Sequence, residues 1–82
     1  MATYQEQMIG IVGQDPGIPI SLAVFRFLQM QGRKTTQVKM IDDSSRRFGY
    51  AVVMSAIKDG EITKVKEGPS VRLYLASQET RS

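Results

Sequence analysis

Apolar residues recur at helical spacing near the start of the chain, at Tyr4, Met8, Ile11 and Val12, which predicts a short helix. Gly10 and Gly13 lie inside it and weaken it by about 1 kcal/mol each. After the turn signal Gln14-Asp15-Pro16-Gly17 and Pro19, a second helix is predicted from a Ser21 cap to about Gln31, where Gly32 stops it. Leu22, Val24, Phe25 and Leu28 form its buried face, with Ile18 or Ile20 packing just ahead of the cap. Arg26, Gln29 and Gln31 take the solvent side.

Thr35 or Thr36 caps a short third element over Gln37 to Ile41, which breaks at Asp42-Asp43. A further helix then runs to about Asp59, capped by Asp43, Ser44 or Ser45 and ended by Gly60. Beyond Gly60 the period changes to two. Glu61 to Val65 reads as one strand and Val71 to Ala76 as another, joined through Lys66 to Ser70. Residues 78–82 read as a frayed polar tail.

Two apolar stripes can be drawn on the helix over residues 44–59. One is Tyr50, Val53, Met54 and Ile57; the other is Phe48, Val52, Val53 and Ala56, rotated by roughly 90–100°. The first choice turns Phe48 and Val52 outward and misplaces the arginines. The second gathers Arg46, Arg47, Tyr50, Met54 and Lys58 on one outer face. We take the second, with Phe48 pointing inward as its condition.

The succession of helices, a tight acidic-Ser turn, a capped helix ended by Gly and a β-hairpin resembles the winged helix-turn-helix superfamily. The resemblance covers residues 20–76. Its tightest part is Ser45-Arg46-Arg47-Phe48-Gly49-Tyr50-Ala51-Val52-Val53 through Ala56 and Lys58-Asp59-Gly60-Glu61-Ile62, followed by Lys66-Glu67-Gly68-Pro69-Ser70-Val71-Arg72-Leu73-Tyr74-Leu75. It implies an α+β fold: a three-helix core, a two-stranded β-hairpin wing and an extra short N-terminal helix. The expected division is an N-terminal helical extension over 1–15, a winged-helix domain over 16–77 and the tail. The superfamily further implies a small DNA-binding regulator of bacterial, phage or plasmid type.

Composition narrows the chemistry. With neither Cys nor His among 82 residues, thiolate and imidazole metal sites, disulfides, Cys nucleophiles and His bases are all excluded. No carboxylate pair sits in an apolar setting, so no enzymatic activity and no cofactor are expected. Eleven Lys and Arg against eight Asp and Glu give +3, with a pI near 9.5, which fits one basic face on an otherwise balanced surface. No run approaches the roughly 18 apolar residues of a membrane span, and the N-terminus lacks a signal-peptide pattern. A cytoplasmic protein without membrane association is expected.

A basic helix face suits the major groove, where Arg pairs bidentately with guanine. Arg46 and Arg47 in the first turns are the candidate readers, with Lys58 on the same face; the alternative is plain solvated charge. Tyr50 is either a core aromatic or a contact to phosphate or a thymine methyl. Ser44 and Ser45 either cap the helix or meet a phosphate with its N–H groups. Lys64, Lys66 and Arg72 on the wing over 61–76 either touch the sugar-phosphate backbone, with one of them placed in the minor groove as the other option, or simply guard an edge strand. Arg33 and Lys34 after Gly32 offer a further backbone contact or a charge favoured by the helix dipole. The expected partner is double-stranded DNA, bound as a homodimer through Tyr4, Met8, Ile11 and Val12, with packing onto its own domain as the other use of that helix. The rival reading is a protein-interaction module of the same fold that binds no DNA.

Overall fold

A computed structural model describes residues 2–32 and 41–76. The expected short helix over Gln37 to residue 40, its Thr35 or Thr36 cap, the candidates Arg33 and Lys34, and the tail over 78–82 lie outside the described residues. Within them the fold is α+β. Helix α1 (Tyr4–Gln14), strand β1 (Ile18–Pro19), helix α2 (Ile20–Met30), helix α3 (Asp43–Lys58) and strands β2 (Ile62–Glu67) and β3 (Ser70–Leu75) follow in order. The strands form one antiparallel sheet in the order β1-β3-β2.

The first helix begins at a capping box legible in Thr3-Tyr4-Gln5-Glu6. The Glu6 amide donates to Thr3 Oγ1 at 3.1 Å, and the Thr3 amide donates to Glu6 Oε1 at 2.9 Å. Its apolar face does not project from the domain. Met8 and Val12 are fully buried and Ile11 is nearly so, among residues of every other element. The helix thus contributes Met8, Ile11 and Val12 to the core, and three of the four expected self-association residues are enclosed by their own chain.

The expected two-stranded wing gains a third strand. Ile18 pairs with Leu73 and Pro19 with Arg72; two residues are too few to display alternation in sequence. Pro19 also stands at the N-cap of α2 without a side-chain bond, so Ser21 lies inside the helix and is not its cap. The buried face of α2 is Ala23, Val24, Phe27 and Leu28, while Leu22 and Phe25 are only half-buried. Phe27 is the largest wholly buried side chain.

Asp42, one residue ahead of the expected candidates, caps α3 by accepting from the Ser45 amide at 2.8 Å. The helix closes through paired bonds: Gly60 N–H donates to Ile57 C=O and Glu61 N–H to Ala56 C=O, each at 3.0 Å. This Schellman arrangement needs a left-handed residue, and Gly60 has φ +78°. It sends the chain directly into β2. The hairpin is tighter than expected, with Glu67 opposite Ser70 and only Gly68 and Pro69 between them. Gly68 at φ +61° supplies the positive φ that a two-residue hairpin requires at its first position.

Candidate nucleic-acid interface

On α3 the buried residues are Ser45, Gly49, Val52, Val53 and Ala56. Phe48 is half-buried and packs among rings, edge-on to Tyr4 at 5.0 Å and tilted against Phe27 at 5.4 Å between centroids. Of the two stripes, the one through Val52, Val53 and Ala56 faces the core. Arg46, Arg47 and Lys58 are exposed, as is Met54, and Tyr50 lies half-buried at the margin.

The arginines differ in what holds them. Arg26 pairs with Asp15 at 3.1 Å. Arg46 donates to the Ile41 carbonyl at 3.3 Å, tying its guanidinium back to the segment before α3. Arg72 donates to the Gly17 carbonyl at 2.7 Å and approaches Glu67 Oε1 at 3.5 Å. Arg47 alone among the described arginines has no hydrogen bond or ion pair. It lies on the same side of the helix as Met54, which is two turns and about 10 Å further on.

The helix N-terminus carries a second correction. Ser45 is 3% exposed, and both its amide and its hydroxyl donate to Asp42, the latter at 3.4 Å. It is a capping partner and cannot reach a phosphate. Ser44 is exposed. Asp42 and Asp43 offset the unfavourable position of two arginines near the positive end of the helix dipole, and Lys58 sits in the last turn, where the dipole favours it.

No family model, curated protein or solved structure matches the chain.

The hairpin carries its cations on two faces. Residues directly opposite in the ladder share a face, so Ile62, Lys64 and Lys66 lie with Leu75, Leu73 and Val71, joined by Ile18 of β1. Ile18, Ile62 and Leu73 are buried; this is the side packed on the helices, and Lys64 and Lys66 remain exposed there. Thr63, Val65 and Glu67 share the opposite face with Tyr74, Arg72 and Ser70. There Glu67 also accepts from the Tyr74 hydroxyl at 2.9 Å. That bond holds the phenol proton on, and with some desolvation raises the Tyr74 pKa above its ordinary 10.0.

Where α1 meets α3, a shallow, largely apolar groove of about 370 Å³ is lined by Thr3, Tyr4, Gln5, Phe48, Ala51, Val52 and Ser55. Tyr4 is 53% exposed at its rim. The Gln5 side chain bridges the helices, accepting from Ser55 Oγ at 3.1 Å and donating to Asp59 Oδ2 at 3.0 Å. Neither the groove nor the Glu67 cluster was legible as a site: the first joins residues far apart in sequence, and the second depends on hairpin register. Among the described residues, no helix is long and apolar enough to cross a membrane.

Proposed function

We propose that the chain binds double-stranded DNA in a sequence-specific way, as a small regulator of transcription built on a winged helix-turn-helix plan. Three helices with a short strand and a β-hairpin are compatible with that plan. The observation that carries the reading is Arg47, exposed and without a partner on the outer face of a capped helix that runs straight into a lysine-bearing hairpin. A helix with its side chains is about as wide as the major groove. Inserted there, α3 presents Arg47 to base edges, where guanine offers it two acceptors, and brings Arg46 and Lys58 near phosphates. The hairpin lies against the sugar-phosphate backbone.

A neighbouring surface supports a second reading. Met54 is 42% exposed and Tyr4 53% exposed, and the groove that Tyr4 lines between α1 and α3 is largely apolar, as a protein-docking patch would be. Titrating random-sequence duplex at two salt concentrations separates the readings. The DNA reading requires binding at low salt that weakens steeply as salt rises. Absence of binding at low salt, or affinity unchanged by combined Arg46→Ala and Arg47→Ala substitution, would favour the protein-interaction module.

A further inference from the structure

A hairpin laid flat along the sugar-phosphate backbone presents one of its faces to it. The register places Lys64 and Lys66 on the face shared with Leu73 and Arg72 on the other, so the three hairpin cations do not act as one group. The two faces also differ in what occupies them. On the Arg72 face the guanidinium is engaged twice, by the Gly17 carbonyl at 2.7 Å and the Glu67 carboxylate at 3.5 Å. Glu67 in turn accepts from Tyr74 Oη at 2.9 Å. The Tyr74 ring lies against Gly17, whose backbone has φ +84°; a methyl group there would stand 3.3 Å from the phenol oxygen. Gly17 N–H donates to Leu73 C=O at 2.9 Å. These bonds link the shoulder of the hairpin to the turn between α1 and β1. Lys64 and Lys66 have no such engagement and are exposed.

Resting on the DNA reading above, we infer that the duplex meets the hairpin on its Lys64 and Lys66 face. Arg72 acts from the opposite face as a positioning residue, locking the hairpin to the turn at Gly17 through Glu67 and Tyr74. The lysine face is the side on which the sheet packs against the helices, and β2, which carries both lysines, packs on α3 and follows it directly in the chain. On this proposal one duplex touches the helix and the hairpin together. A carboxylate at Glu67 would repel a phosphate brought to the other face. Its placement there fits a face turned away from DNA.

The dependence of duplex affinity on salt separates contact from positioning. Removing one phosphate contact flattens the plot of log K against log salt by about 0.9. Lys64→Gln with Lys66→Gln is expected to flatten it by about 1.8, twice that unit. Arg72→Gln is expected to lower affinity several-fold with the slope unchanged. A slope reduced by about 0.9 in Arg72→Gln makes Arg72 a phosphate contact and overturns the assignment; so does an Arg72→Gln affinity equal to that of the unaltered protein. Ultraviolet titration of the tyrosines reads the lock without DNA. Glu67→Gln should bring the Tyr74 ionisation down toward its ordinary range, and an unchanged titration refutes the lock whether or not DNA binds. If the unaltered protein binds no duplex at low salt while Glu67→Gln shifts Tyr74 as expected, the DNA reading fails and the lock stands.

Discussion

Gly49 of α3 faces Val24 of α2 so closely that a methyl group on Gly49 would overlap Val24 Cγ1. The two helices meet where one has no side chain, and that contact sets how far α3 stands out from the core. Gly49→Ala forces Val24 to move. Overpacking costs about 1–3 kcal/mol, against a helix-propensity gain of up to about 1 kcal/mol. A net loss of up to about 2 kcal/mol is expected by urea denaturation. Val24→Ala in the same molecule should recover part of the Gly49→Ala loss, a coupling that a double-mutant cycle measures. Gly10 has no atom near its missing side chain, and there the same change should stabilise by about 0.5–1 kcal/mol.

Removing the Asp42 side chain strips the cap from the helix that carries Arg47. Asp42→Ala should cost about 1 kcal/mol, and Asp42→Asn much less, because an amide oxygen still accepts from the Ser45 amide. Equal losses in the two variants would show that the carboxylate acts through charge and not through the cap.

Burial of α1 makes a prediction opposite to self-association. Met8 is fully enclosed, so Met8→Ala should cost about 2–5 kcal/mol, by an amount independent of protein concentration. Were α1 an interface between copies, the loss would instead vary with concentration. Equilibrium unfolding at two protein concentrations decides the matter.

Tyr74 gives the molecule an alkaline sensitivity. Its hydroxyl donates to Glu67, which raises its pKa, with a smaller opposing effect of Arg72. A group whose folded pKa is raised contributes stability that is present below its unfolded value near 10. That contribution is lost as pH rises through the higher folded value. Tyr74→Phe should therefore flatten the decline of stability above pH 10. An identical decline in both proteins would place the alkaline sensitivity elsewhere.

Much of the framework was legible where local physics and tertiary packing agree. The helix period around Val52, Val53 and Ala56, the stop at Gly60 and the alternation of Val71, Leu73 and Leu75 each point to the observed element. Reading failed where packing chose between local options. Asp42 and Asp43 are equal as caps in sequence, and only the bond to Ser45 N–H separates them. Phe25 and Phe27 are equal as apolar residues, and the approach of α1 and α3 selects Phe27. Strand β1 is too short to carry a period, so the third strand was invisible. The outward placing of Arg46 and Arg47 was legible from the helix period. What distinguishes Arg47 from Arg46 and Arg72 is the set of carbonyls and carboxylates brought near the latter two by folding.

Titration of duplex DNA with the unaltered protein and with Arg47→Ala, by fluorescence anisotropy at low and moderate salt, tests the central claim most directly. About five phosphate contacts give an expected log K against log salt slope of −4 to −5. Arg47→Ala should also reduce discrimination between preferred and random sites by about 1–3 kcal/mol. Binding that is absent at low salt, or equal for the two proteins on every sequence, would contradict the assignment of α3 as a DNA-reading helix.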